Sequence, residues 1–186
     1  MAACDPLSPV SWMAVGFPHW FEGCPEKAIA PQVKGLELDP QHFIVHWCIG
    51  YTYALVGRME DAWHHATTLE AMAPDVPYTR QLLALLDGLE GRLDAGLARI
   101  RNIDVTPLDA HHHFHLAEAF LTGGDRDRAL ELLEESVAGF HPDRYNAEYC
   151  PFLSALRGSP RFEKVVATAR AKTNAFPEQL ARLGKE

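Results

Sequence analysis

Apolar residues recur every three to four positions through most of the chain, which is the period of one face of an α-helix. Polar turns that contain glycine or proline separate these stretches. The clearest example is residues 50–74, GYTYALVGRMEDAWHHATTLEAMAP. They predict one helix that ends at Gly57, a tight turn, and a second helix that begins near Met59. The chain is therefore predicted to be built from pairs of helices.

The helix pairs follow a fixed period along the sequence. Small residues that open the second helix of each pair recur at intervals of 34, 33 and 34; they are Ala28, Ala62, Ala95 and Ala129. Prolines that close the pairs recur at intervals of 34, 34 and 33; they are Pro6, Pro40, Pro74 and Pro107. Two residue types that keep one period predict a repeat protein.

The period and the small residues together resemble the tetratricopeptide repeat. The second unit carries the resemblance most fully, with matching residues Ile49, Gly50, Tyr53, Gly57, Ala62 and Pro74. The third unit, from Val76, is degenerate, and its Gly91 is displaced by one position. The resemblance implies an all-α fold: a right-handed α–α superhelix (a tetratricopeptide-like solenoid) in which each helix pair covers the open face of its neighbour.

The repeat also divides the chain into segments. Four helix pairs are predicted over residues 9–142, with units at 9–42, 43–75, 76–109 and 110–142. Residues 1–8 fit the end of a truncated preceding repeat, with an irregular N-terminal segment as the alternative. After the repeats, residues 143–173 are predicted to be capping helices that cover the last open face. Residues 174–186 are predicted to be a tail that forms one more short helix or frays.

Pro18 lies inside the first predicted helix. A proline removes one backbone hydrogen bond and clashes with the preceding turn, so we expect this helix to kink or break near Gly16 and Phe17. The partner helix, residues 26–38, is expected to be regular.

The C-terminal residues carry a second, narrower resemblance. Gly124-Asp125, Arg128-Ala129-Leu130, Leu156-Arg157 and Ser159-Pro160-Arg161-Phe162 look like the C-terminal end of a class of large bacterial signalling proteins. In that class, tetratricopeptide repeats follow a winged-helix DNA-binding domain, a Ser/Thr kinase domain or a nucleotide cyclase domain. The resemblance implies that the chain is the interaction or sensory region of a larger bacterial regulator, with the effector domain before residue 1.

Charge and composition narrow the possible partners. The formal net charge is 17 − 25 = −8, which disfavours binding to nucleic acid. No apolar run approaches the roughly 18 residues that would predict a membrane span, and the first ten residues lack the pattern of a secretory signal. The four cysteines are scattered without a CxxC motif, which indicates reduced thiols in a cytoplasmic protein.

Few residues in the sequence are candidates for catalysis or metal binding, and the histidines are the strongest of these candidates. His111 and His115 lie one helical turn apart on one face, and Glu118 follows three residues later, so a metal site is geometrically possible. His64 and His65 are expected on the solvated side of their helix. No nucleophile elbow, phosphate-binding loop or dinucleotide-binding turn occurs. We therefore predict no enzyme activity, no catalytic residue, no cofactor and no resident metal.

The tetratricopeptide resemblance implies a concave groove that is lined by the first helix of each unit. The predicted partner-binding residues in this groove are Trp47, Tyr51, Arg80, Asp87, His111, Phe114 and Glu118. Exposed aromatic side chains usually mark partner binding, so we predict a non-enzymatic scaffold that binds a protein or peptide segment. A homo-oligomerisation module, such as a homodimer, is one alternative. A small-molecule or metal sensor that uses the His111/His115 face is another.

Overall fold

The computed structural model describes residues 5–106, 108–139 and 149–183, and within them the side chains of residue 21 and residues 176–183 are not described. These ranges are helical and contain no strand. The helices are α1 Pro9–Phe21, α2 Glu26–Leu38, α3 Phe43–Leu55, α4 Met59–Met72, α5 Pro77–Leu89, α6 Leu93–Ile100, α7 Ala110–Thr122, α8 Arg126–Ala138, a 3-10 helix Pro151–Leu156, and α9 Pro160–Leu183. None of the described helices is both long and apolar enough to cross a membrane.

Packing between the helices has the pattern of a solenoid. Each odd-numbered helix from α1 to α7 packs against the helix that follows it, and α1, α3 and α5 each also contact the next odd-numbered helix. The core consists of the apolar faces that meet between these helices, including Ile49, Leu82 and Leu116. The expected all-α superhelical solenoid is therefore confirmed.

A glycine in the left-handed backbone conformation forms the turn between the two helices of each pair. The four turn glycines have φ between 71° and 92°; they are Gly23, Gly57, Gly91 and Gly124. Space around Gly57 is open, so a side chain there would be limited by the backbone conformation rather than by a neighbour. These glycines recur at intervals of 34, 34 and 33, so Gly91 keeps the period.

The third pair is shifted by one residue from the predicted register. Its first helix begins at Pro77 rather than at the expected Val76. In the second helix, Gly96 is buried so closely against α5 that an added Cβ would lie 2.9 Å from the carbonyl oxygen of Ala84, whereas Ala95 is exposed. Gly96 therefore supplies the small residue of this pair, and the prediction of Ala95 is wrong.

The first helix does not break at Pro18. Helix α1 is continuous through Pro18, and the proline ring lies on the outer face of the helix. Met13, Phe17 and Trp20 pack against the core on both sides of the proline. This packing holds the helix together despite the missing hydrogen bond.

The C-terminal segment differs from the predicted tail. Helix α9 packs against α8, where Arg161 and Glu134 form two hydrogen bonds of 3.0 and 2.9 Å. The helix continues without interruption past residues 173 and 174, so no separate short helix follows there. The predictions for residues 1–4, Pro107, residues 140–148 and residues 184–186 lie outside the described residues.

Candidate functional site

The concave side of the solenoid is closed rather than open. Trp47, Tyr51 and Phe114, which are predicted to line a groove, are at most 3% exposed. Helices α3, α5 and α7 approach so closely that their concave side chains contact one another. Residues 149–152, which we call the C-terminal strap, cover part of the same surface. The prediction of an exposed aromatic groove at these residues is therefore wrong, because the aromatic side chains form an interior cluster.

Aromatic contacts join the helices within this cluster. The ring of Trp47 stacks on Tyr51 with an interplanar angle of 7° and a centroid distance of 5.4 Å. The His115 ring meets both of them edge-on, at 4.7 Å from Trp47 and 4.9 Å from Tyr51. Phe152 of the strap lies 5.8 Å from Tyr51. Edge-to-face and offset contacts of this kind add to the free energy that comes from burial alone.

Glu118 lies at the centre of the cluster and is fully buried. Its Oε1 accepts hydrogen bonds from the Tyr51 hydroxyl at 2.7 Å and from the Cys150 thiol at 2.9 Å. Its Oε2 accepts a hydrogen bond of 2.7 Å from His115 Nδ1. A buried carboxyl group needs such partners, because burial without them costs several kcal/mol. The network fastens the strap to α3 and α7.

The chemistry of this network favours a structural role. Burial raises the pKa of the Cys150 thiol well above its usual value, and the charge of Glu118 raises it further. The pKa of Tyr51 is raised for the same two reasons, in the same order. A thiol that remains protonated is a poor nucleophile, so the Cys–Glu–His arrangement positions the strap without activating Cys150.

Arg80 and Asp87 do not face the concave side. Both Asp87 carboxylate oxygens bind arginines of the third pair, Oδ1 to Arg92 Nε at 2.8 Å and Oδ2 to Arg99 Nε at 2.7 Å. Arg80 Nε donates to the carbonyl oxygen of Arg99 at 2.6 Å. The one-residue register shift of the third pair explains the error, because one residue turns a helix by about 100°. Gln81 and Leu85 lie on the concave side instead, near Trp47.

The His111, His115 and Glu118 face is part of the aromatic cluster. The rings of His111 and His115 are 4.5 Å apart and nearly perpendicular, and His115 is hydrogen-bonded to Glu118. Among the residues that the structure describes, no group of three His, Cys, Asp or Glu side chains is arranged to hold a metal ion. These contacts give no support to the metal-sensor alternative.

The structure buries His65, contrary to its predicted solvated position. His46 Nε2 donates to Pro40 O at 2.9 Å, which leaves His46 Nδ1 to accept the hydrogen bond of 2.8 Å from His65 Nδ1. The Tyr53 ring stacks on His65 at 5.6 Å. Burial, followed by the neighbouring His46 and His64, lowers the pKa of His65 to about 4. His64 itself lies nearer the surface than His65.

One accessible cavity remains beside the strap, and we call it the strap pocket. Its volume is about 230 Å³. The lining residues are Trp20, Gly23, Pro25, Tyr51, Leu55, Tyr149, Cys150 and Pro151. Tyr51 is the one predicted site residue that reaches this pocket. Sequence reasoning missed the remaining lining, although the apolar run Tyr149-Cys150-Pro151-Phe152 after the last repeat was a usable signal.

Comparison with solved structures identifies the fold. A thermophilic tetratricopeptide protein of Thermus thermophilus has a TM-score of 0.62 at 18% identity, over 96% of this chain and 98% of its own. A chain of the Cut9–Hcn1 hetero-tetramer of the APC/C has a TM-score of 0.58 at 13% identity, over 93% of this chain and 35% of its own. For PilF of Pseudomonas aeruginosa the TM-score is 0.52 at 15% identity, over 94% of this chain and 91% of its own.

The chain has a tetratricopeptide-like fold. No protein-family profile matches the sequence, and no curated protein matches it significantly. Because these structural neighbours share at most 18% identity with this chain, the tetratricopeptide likeness concerns the fold alone.

Proposed function

We propose that the chain is a non-enzymatic scaffold that binds a protein or peptide segment on the concave side of its solenoid. The observation that carries this proposal is the strap itself. Residues outside the repeat region are held on the concave side through a buried aromatic contact, Phe152 to Tyr51, and through the Cys150–Glu118 hydrogen bond. A surface that holds a segment of its own chain in this way has the chemistry to hold a partner segment beside it.

The strap pocket is the place where a partner segment reaches this surface. Trp20 and Leu55 are half-buried there, and Tyr149 is 60% exposed. The partner-binding site that we propose is therefore built on Trp20, Leu55 and Tyr149, with Tyr51 as its floor. The deeper residues Trp47, Phe114 and Glu118 support it from below.

Selection of peptides from a displayed random library tests this proposal. We expect wild-type protein to enrich peptides that bind it in solution, and we expect Tyr149→Glu to weaken their binding at least about tenfold, because a charge replaces an aromatic contact. Met72→Glu is the matched control, since Met72 is an exposed apolar residue on α4, away from the pocket. Binding to the control should equal binding to the wild type.

Two outcomes contradict the scaffold proposal. One is a selection that enriches no binding peptide for the wild-type protein. The other is a set of peptides whose affinity is the same for wild type and for Tyr149→Glu, which would place binding elsewhere on the molecule.

Self-association is a second candidate, which the exposed residues around α1 favour. Leu7 is 79% exposed, and Val10 and Val15 on α1 are each 38% exposed. In a solenoid, apolar residues on the open side of a helix pair are covered by another pair, and a second copy of this chain could supply it. Light scattering should then give a dimer mass that Val10→Lys with Val15→Lys converts to a monomer mass. A wild-type monomer mass would remove this candidate.

We also propose that the scaffold belongs to a larger protein. The resemblance of the C-terminal residues, including Ser159-Pro160-Arg161-Phe162, supports a role as the interaction region of a larger bacterial regulator in the cytoplasm. The coding sequence before residue 1 tests this directly. An effector domain in the same reading frame is expected, and a stop codon directly upstream would contradict it.

A further inference from the structure

The strap pocket is rich in aromatic side chains and poor in charge. Three of its eight lining residues are aromatic: Trp20, Tyr51 and Tyr149. None of the eight is Lys, Arg, Asp or Glu. Trp20 and Tyr51 meet edge-on with their centroids 5.2 Å apart, so their ring planes enclose a corner at an angle of 61°.

The polar atoms of this corner are used inside the protein. Trp20 Nε1 donates a hydrogen bond of 3.0 Å to Thr52 Oγ1, and the Tyr51 hydroxyl donates one of 2.7 Å to Glu118. These bonds direct both polar groups away from a ligand in the cavity. The ligand would therefore contact the ring of Trp20, the small part of the Tyr51 ring that reaches the cavity, and the ring of Tyr149.

Aromatic rings carry negative potential over their faces and attract cations that lie within about 6 Å of the ring centre. Two further features favour a cation here. The formal net charge of the chain is −8, and the carboxyl group of Glu118 lies at the hydroxyl end of the Tyr51 ring, where it accepts the hydrogen bond of 2.7 Å. Positive ligands are steered toward a surface with negative potential.

Among the residues that the structure describes, no charged side chain lines the pocket, and this lack of charge selects among cations. A primary ammonium group is strongly hydrated and needs hydrogen-bond acceptors to replace its water. A quaternary ammonium group has no N–H to satisfy, and its methyl groups can pack against rings. The lining therefore suits the quaternary ion better than the primary one.

We propose that the strap pocket binds a quaternary ammonium group. The ligand is either a trimethylated lysine in a partner segment or a free choline-like amine, which share this chemistry. The proposal rests on the proposed scaffold function and deepens it by naming what the pocket recognises. It also has a test that needs no partner protein.

Titration of the full chain with choline, followed by the NMR signal of the Trp20 indole N–H, is that test. We expect a saturable shift with choline. We expect none with its neutral isostere, in which carbon replaces the quaternary nitrogen, because the isostere has the same shape without the charge. Equal binding of the two compounds would show a merely apolar pocket and would overturn the proposal, as would no binding of choline.

Two substitutions at one exposed position assign the signal to the pocket. Tyr149→Leu should weaken choline binding about tenfold, since it removes one ring from the corner. Tyr149→Phe should bind as wild type, because it keeps the ring and removes only the hydroxyl. Tyr149 is mostly exposed, so both variants are expected to fold. Unchanged affinity of Tyr149→Leu would place the choline site elsewhere and contradict the assignment.

Paired peptides then distinguish the two sources of the ligand. A trimethylated lysine peptide that binds more tightly than both choline and the unmodified peptide indicates a partner segment. Binding no tighter than that of choline indicates a free amine. If choline itself fails to bind, the scaffold proposal still stands on the peptide selection, so the two proposals fail separately.

Discussion

The hydroxyl of Tyr51 donates a hydrogen bond of 2.7 Å to Glu118 Oε1, across 67 residues of sequence. This bond joins α3 directly to α7 on the concave side, and α5 contacts both helices. Both side chains are nearly or fully buried, so the side chains on the concave side of the solenoid form part of its core. The aromatic residues that the sequence predicts in a binding groove therefore contribute mainly to stability.

Replacement of Glu118 should test the structural role of this network. Glu118→Leu leaves the Tyr51 hydroxyl and the His115 ring without their acceptor in the interior, and we expect a loss of about 3 kcal/mol in the free energy of unfolding. Glu118→Gln keeps one acceptor oxygen, so we expect a loss of about half that size. Urea unfolding followed by circular dichroism measures both variants.

Glu131→Gln is the control for the Glu118 variants, because Glu131 is an exposed carboxylate on α8. Its effect should stay within about 0.5 kcal/mol. If Glu118→Leu were no more destabilising than this control, the buried network would contribute nothing measurable to the fold.

Prediction from sequence succeeded where neighbouring units reinforced the repeat period. The helix pairs and the turn glycine Gly57 follow directly from local spacing. It failed at contacts that join distant segments, such as Cys150 with Glu118 and His46 with His65, because no local pattern encodes them. The closure of the concave side depends on the curvature of the solenoid. This curvature results from many packing contacts between neighbouring units.

The errors at Arg80 and Asp87 have a more specific origin. Both predictions depend on Val76 as the first residue of the third unit, and Ala95 is the small residue that supports this frame in the sequence. The structure begins the helix at Pro77 and buries Gly96 instead. A shift of one residue rotates every assigned face by about 100°, so the two side chains meet α6. The turn glycine Gly91 marks the correct frame in the sequence.

Substitution of Gly96 should test the corrected frame. A Cβ at Gly96 would lie 2.9 Å from the backbone oxygen of Ala84. The backbone of α5 would have to move to relieve this contact, because the contacting atom does not belong to a flexible side chain. We expect Gly96→Ala to destabilise the protein by about 1–3 kcal/mol through overpacking, despite the better helix propensity of alanine. Ala95→Ser on the exposed neighbour is the control, with an expected change below about 0.5 kcal/mol. Thermal unfolding that ranks the two variants in the opposite order would contradict the frame.

Asp87 should behave as a stability residue rather than a binding residue. Its side chain is 4% exposed and lies between Arg92 and Arg99. Removal of one partner from such a cluster leaves charge uncompensated in a buried place, so we expect Asp87→Ala to cost about 3 kcal/mol of unfolding free energy. Asp94→Ala on the exposed surface of α6 is the comparison. Urea unfolding measures both variants, and equal midpoints would show that the arginine pairs contribute little.

Thiol reactivity should report how firmly the strap is held. Burial raises the pKa of both Cys48 and Cys150, and both side chains are buried, whereas Cys24 is partly exposed. In a Cys4→Ser background, we expect a disulfide reagent to titrate one thiol rapidly and the other two only on unfolding. Rapid reaction of Cys150, located by mass spectrometry, would show that the strap leaves the concave side readily.

Acid should destabilise the protein through His65. Burial, followed by the charges of His46 and His64, lowers the pKa of His65 to about 4, and Asp61 opposes this only in part. The unfolded chain binds this proton near pH 6.5, so between pH 6.5 and 4 the unfolded state holds more protons than the folded state. Stability should therefore fall as the pH drops through this window, and the contribution of His65 should level off below about pH 4.

His65→Phe separates this effect from the titration of other groups. Phenylalanine can still stack on Tyr53, but it cannot donate to His46 or take up a proton. We expect lower stability than wild type at pH 8 and a shallower loss between pH 6.5 and 4, measured by urea unfolding at each pH. His64→Gln removes only one of the smaller contributions to the lowered pKa of His65, so its slope should be only slightly shallower than that of the wild type. A His65→Phe slope equal to that of wild type would assign the acid sensitivity to other groups, because the unfolded state would then bind its excess protons elsewhere.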